Sequence, residues 1–205
     1  MKKGLMVVVS GPAGSGKGTV NAHLLAKENF VYSVSATTRA PRPGEVDGVN
    51  YHFISREEFI RRIENDDMLE YTEYCGNYYG TPKKEAMEVL ASGKNLILEL
   101  EVEGAENVKK KFPDAVLVLL LPPSYAVQEQ RLRGRATETE EKITERLARA
   151  KEEVRHSLSY DYIVYNYDGK DAEAAGQIDA IVTAEKCSIG RNPRIAERYL
   201  GEDGE

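Results

Sequence analysis

The 205-residue sequence holds only two cysteines, three histidines and no apolar run of membrane-spanning length. Cys75 and Cys187 lie far apart with no framework spacing, which argues against a disulfide-stapled scaffold and fits a reducing compartment. His23, His52 and His156 match no metal-ligand spacing and read as structural or surface residues. The longest apolar run, Ala115–Pro123 (AVLVLLLPP), is far too short to cross a bilayer. The N-terminus, MKKGLMVVVSG, has two lysines before an apolar stretch, but glycines follow at once without a small-residue cleavage site. It is therefore not read as a signal peptide, and a cytoplasmic location is expected. A basic excess is also missing, the formal net charge being −6. Neither nucleic acid nor an anionic membrane is expected as a partner, and any anion site must be a local basic pocket. Repeats and low-complexity linkers are absent as well, and nothing in the residues signals an oligomeric state.

What is present is an ordinary globular balance, 41 % apolar and 30 % charged residues, in a length that suits one domain with small insertions. Leu5–Val9 is continuously apolar and reads as a fully buried strand. A glycine loop follows, then a helix over Gly18–Glu28 with Val20, Leu24 and Leu25 toward the core, then a strand over Val31–Val34. From Ala36 to about Ser92 the texture changes: APRPGEVDG is turn-rich, and tyrosines are frequent. Strands are expected around Tyr51–Ile54 and Leu69–Tyr74, with helices near Arg56–Asn65 and Pro82–Ala91. The core pattern resumes with a strand (Asn95–Leu100), a helix (Gly104–Lys111), a strand (Ala115–Leu121) and a helix (Ser124–Arg133). Thr137 with Glu140 predicts a capping box for a further helix, whose apolar face is Ile143, Leu147, Ala150 and Val154. A strand over Tyr162–Val164 and a helix over Ala172–Ala184 close the core. Alternating strands and helices predict an α/β fold with a central parallel sheet and right-handed crossovers.

GPAGSGKGT, Gly11 to Thr19, fits the phosphate-loop pattern G-x-x-x-x-G-K and stands between a buried strand and a helix, as that motif requires. The glycines let the backbone curl so that several N–H groups point at a phosphate chain. The helix N-terminus adds partial positive charge, and Lys17 adds a mobile full charge for the β- and γ-phosphates. Gly11, Pro12, Ala13, Gly14, Ser15, Gly16, Lys17, Gly18 and Thr19 are thus the expected ATP-binding residues. The residue after the lysine is Gly18, and the hydroxyl that could reach a magnesium ion comes one step later, at Thr19. This G-K-G-T variant resembles nucleoside monophosphate kinases more than GTPases.

The acceptor must be read elsewhere. SATTRAPRP, Ser35 to Pro43, places Arg39 and Arg42 three apart in a proline-stiffened segment, where two guanidinium forks can grip a phosphate. Tyr51 and Tyr79 offer hydroxyls for further phosphate bonds. Glu70 lies in MLEYTEY, ahead of GNYYGTP. Guanine presents adjacent N1–H and N2–H₂ donors, and an ionised carboxylate can accept from both; adenine presents an acceptor there. A base site of Glu70, Thr81 and Ser35 would select guanine.

The ordered series S-x-T-T-R-x-P-R-x-G-E-x-x-G-x-x-Y-x-F, E and G-N-Y-Y-G-T resembles the guanylate kinase family, with likeness from Leu5 to about Ala184. The resemblance implies a three-layer phosphate-loop fold with a core (1–35, 93–128 and 155–185), an inserted α+β GMP-binding subdomain (36–92), a helical lid (129–154) and a C-terminal appendage (186–205). It implies GMP contacts from Ser35, Arg39, Arg42, Tyr51, Glu70, Tyr79, Thr81 and Glu101. Glu99 is placed near a metal, and Asn166 against adenine. The lid segment GRATETEEKITERL is similar to the family's, so Arg135 and Arg146 are expected to join Lys17 and Arg39 in stabilising the transferring group. The implied reaction is Mg²⁺-dependent transfer of the ATP γ-phosphoryl group to GMP or dGMP. Two alternatives stay open: a non-catalytic module of the same family that binds phosphorylated peptides, and a phosphosugar acceptor.

Overall fold

The structure, a computed structural model of the 205-residue chain, describes residues 3–74, 76–134, 139–155 and 157–201. In chain order the elements are β1 (Met6–Ser10), α1 (Lys17–Leu25), β2 (Phe30–Tyr32), β3 (Ala36–Thr37), β4 (His52–Phe53), α2 (Arg56–Glu64), β5 (Met68–Tyr74) and β6 (Asn77–Pro82). They continue with α3 (Lys83–Ala91), β7 (Asn95–Leu100), α4 (Val102–Lys111), β8 (Val116–Leu121), α5 (Tyr125–Gly134), α6 (Glu140–Arg155), β9 (Tyr162–Tyr165), α7 (Asp171–Cys187) and α8 (Ile195–Leu200).

Five strands form a parallel sheet in the order β2-β7-β1-β8-β9. Their side chains alternate between two cores, because successive residues of a strand face opposite sides. Val7, Val9 and Ile97 pack with Val20 and Leu24 of α1 and Ile178 and Val182 of α7. Val8, Leu96 and Leu98 pack on the other face with Ala105 and Val108 of α4. A second sheet, β4-β3-β6-β5, is mostly antiparallel. It has a small core of its own, Ala36, Phe59 and Met68. Leu69 and Ala86 join it to the main core.

Three expectations need correction. The second strand ends at Tyr32 rather than Val34, because Ser33 N–H to Ile97 O is the last bond to the parallel sheet before the chain turns away toward β3. On α1, Leu25 is exposed and polar Asn21 is buried beside Val20 and Leu24. On α6, Val154 is exposed and Glu153 takes its place in the buried row after Ile143, Leu147 and Ala150. Both errors have one cause: in a helix, steps of three and four reach nearly the same face, and tertiary contacts choose between them. That helix begins at Glu140, with Thr139 immediately before it and Ile143 N–H bonded to Thr139 O; Thr137 lies outside the described residues. No described helix is long and apolar enough to cross a membrane.

Candidate active site

The register of the parallel sheet builds the site. β1 and β7 are neighbours with Val9 opposite Glu99 and Ser10 opposite Leu100. The glycine loop and the acidic end of β7 therefore leave the same carboxyl edge of the sheet, where open α/β folds bind ligands. Glu99 shares the face of Ile97 and turns toward α1, where Asn21 Nδ2 donates to its Oε2 at 2.9 Å.

In the loop, the carbonyls are tied back from the cavity. Gln128 Nε2 donates to Ala13 O at 2.9 Å, Arg131 Nη1 to Gly14 O at 3.3 Å, and Asn166 Nδ2 to Ser15 O at 3.0 Å. Arg131 is itself held by Asn166 O and Asp168. Lys17 Nζ donates to the carbonyls of Gly11 and Pro12. The loop closes into α1 through Gly16, whose φ of 87° requires glycine and whose missing Cβ would stand 2.4 Å from Asn166 Nδ2. With the carbonyls engaged and the first N–H groups of α1 lacking helical partners, the loop presents donors inward. Ala13 to Thr19, Glu99, Glu101 and Arg146 of α6 line this cleft, of about 300 Å³.

A second cleft, of about 280 Å³, lies between the parallel sheet and the second sheet. Ser35, Arg42, Tyr51, Glu70, Tyr79 and Glu101 line it, six of the expected acceptor residues. Thr81 backs its floor, donating from Oγ1 to Glu70 Oε1 at 2.9 Å. Glu70 is only 2 % exposed. Gly104 gives the carboxyl room, since a Cβ there would lie 3.3 Å from Glu70 Oε2. Burial pushes the Glu70 carboxyl up to about 7, against the opposing influence of the Thr81 hydrogen bond and of Lys111. Arg39 does not line the cleft. Its Nη2 is 2.9 Å from Glu45 Oε1 and its guanidinium stands 5.6 Å from the Tyr51 ring centroid.

The two clefts meet at Lys17, Glu99 and Glu101, which line both. A sequence model of the guanylate kinase family matches residues 3–183. The chain belongs to the guanylate kinase family. It is 52 % identical to a guanylate kinase of Halalkalibacterium halodurans, over 97 % of this chain and 95 % of the relative. To that of Carboxydothermus hydrogenoformans it is 46 % identical, over 100 % and 98 %. The crystal structure of guanylate kinase from Anaplasma phagocytophilum superposes with a TM-score of 0.75 at 34 % identity, covering 93 % of this chain and 90 % of that one. This guanylate kinase-family chain is thereby an enzyme of the nucleoside monophosphate kinase class, with the family's α/β architecture.

Not every expected residue falls where its role was read. Asn166, expected against adenine, is 1 % exposed and spends its amide on the loop backbone; this geometry supports a bracing role. Thr19 is exposed in the phosphate cleft. Arg135 lies outside the described residues. The sequence reading missed Tyr32, Asn50, Thr72 and Leu100 in the acceptor cleft, and the carbonyl braces Gln128 and Arg131. A tyrosine ending a strand carries no motif, and a brace is recognised only once the loop it touches is in place. Tyr32 is half-buried; burial, then Glu99 and Tyr51, raise its pKa.

Proposed function

We propose that this chain transfers the γ-phosphoryl group of ATP to GMP, and to dGMP, giving ADP and GDP or dGDP. The observation that carries the reading is the junction of the two clefts, at which one lysine and two carboxylates serve both a phosphate-binding loop and a pocket floored by a buried acid. The amide-lined loop and Lys17 hold the ATP phosphates. Glu70 and Thr81, with Ser35 and Glu101, read the guanine edge. Arg42, Tyr51 and Tyr79, which line the cleft, hold the acceptor phosphate, and Arg39, paired with Glu45 outside it, joins them by the role its resemblance implies. A phosphate oxygen of GMP attacks the γ-phosphorus in line, the bond to the bridging oxygen breaks, and ADP leaves. Lys17, Arg39 and Arg146 spread the charge of the transferring group, as does Arg135 by the role its resemblance implies. No residue forms a covalent intermediate.

Glu99 and Thr19 line the loop cleft and offer one carboxylate and one hydroxyl, the hard oxygen ligands that suit Mg²⁺ held largely by phosphates. Bound there, Mg²⁺ would offset phosphate charge. Closure of the lid and of the second sheet would exclude water, a rival acceptor. The substrates are small molecules, and the proposed location is the cytoplasm. An assay of ADP release with GMP, AMP, UMP and CMP side by side tests the reading. Strong preference for GMP is expected; equal turnover of AMP, or none of either, would overturn it.

A further inference from the structure

Asn21 is the one buried polar residue on the core face of α1, between Val20 and Leu24. A leucine there would extend the apolar row at no polar cost. Instead a side-chain amide is 2 % exposed, with Nδ2 on Glu99 Oε2 and with no hydrogen-bond partner for Oδ1 among the described residues. The orientation of the amide is set by its neighbour, since the opposite one would bring two oxygens together. Burial of half an amide without a protein partner costs stability, so the residue is poorly explained as packing. Its one protein bond goes to the carboxylate shared by both clefts.

We propose that Asn21 is a positioning residue that fixes the Glu99 carboxylate for the divalent cation at the junction of the two clefts. The inference rests on the reaction proposed above. A glutamate has three rotatable bonds, and each must be frozen before the carboxylate can serve as a ligand in one place. Strand β7 fixes its backbone; the amide from α1 fixes its tip. With Oε2 committed to Asn21, Oε1 is the oxygen left to face the ion and its waters. Because Asn21 stands one turn of helix beyond Lys17, α1 sets both the lysine that meets the phosphates and the carboxylate that meets their cation. Partners of this kind, which touch a ligand and not the metal, typically alter metal affinity by about 10–100-fold.

The test compares wild type, Asn21→Leu, Asn21→Ser and Glu99→Gln. Mn²⁺ binding is read by electron paramagnetic resonance with a non-hydrolysable ATP analogue, GMP binding by calorimetry, and Tm by thermal unfolding. Asn21→Leu should weaken Mn²⁺ binding about tenfold, keep or raise Tm, and leave GMP binding unchanged. Adding it to Glu99→Gln should produce little further loss. Unchanged Mn²⁺ binding in Asn21→Leu would overturn the proposal. So would parallel losses of Tm, Mn²⁺ and GMP binding in Asn21→Leu and Asn21→Ser, which mark a purely structural role. Turnover of GMP by wild type in the same preparations separates these failures from failure of the proposed reaction.

Discussion

The two clefts proposed for donor and acceptor share a wall, yet they are built from opposite kinds of group. Around the loop the proposed phosphate donors are chiefly main-chain amides, with Lys17 among them, and three side chains grip the loop carbonyls from behind. In the second cleft the proposed readers are side chains, and the central one is an acid kept from water. Main-chain donors do not titrate and do not depend on side-chain identity, so the first cleft is suited to the phosphates common to all nucleotides. A buried carboxyl near neutrality is selective but sensitive to its proton. On the proposed reading, general anchoring and base discrimination fall to different chemical groups.

The largest expected effect tests the donor side. Lys17→Ala should lower kcat by about 10²–10³ in steady-state assays, the range seen for loss of one transition-state charge partner. A change confined to the KM for GMP would instead place the lysine in the acceptor half. Next, Glu70→Gln should reduce kcat/KM for GMP by roughly 10², since its amide would oppose the guanine donors. The same substitution should stabilise the free protein. The raised pKa means that burial disfavours the ionised form; the penalty is absent below about pH 4.5 and complete above about pH 7. Urea unfolding should therefore show a gain of up to about 3 kcal/mol at pH 8 and none at pH 4.

A smaller effect needs no mutation. If guanine is read by the ionised carboxyl, the KM for GMP should be about tenfold higher at pH 6 than at pH 8, as follows from a midpoint near 7. The KM for ATP should change little. Equal pH dependence for both substrates would break the contrast between the clefts. The smallest effect sharpens it. Thr81→Val removes the hydrogen bond that favours ionised Glu70. The midpoint of the GMP profile should then move upward by about 0.5–1 unit, the equivalent of one such bond.

The same contrast governs what could be read from residues alone. The loop is contiguous, and its glycines are needed for backbone reasons, so Gly11 to Thr19 announced their shape and pointed to the ligand proposed for them. The parallel strands were legible as unbroken apolar runs. Glu70, Ser35, Arg42, Tyr51 and Tyr79 could be named because the motif series lies in order along the chain. The gathering of Tyr32, Asn50 and Thr72 with them depends on sheet pairing across long separations, for which local pattern holds no signal. Strand β3, only Ala36–Thr37, is too short to show a period. Asn21 and Glu153 stood where helical geometry offers two candidates for one buried position, and only the neighbours decide.

Strands β2 and β7 lie side by side in the parallel sheet, so the chain departs for the second sheet and comes home through adjacent doors. The segment between them also rests on the larger core, through Leu69 and Ala86 with Val89 and Leu90 beside them. With both ends of that segment at neighbouring strands, its length and contents can vary without altering the order of the strands that carry the glycine loop.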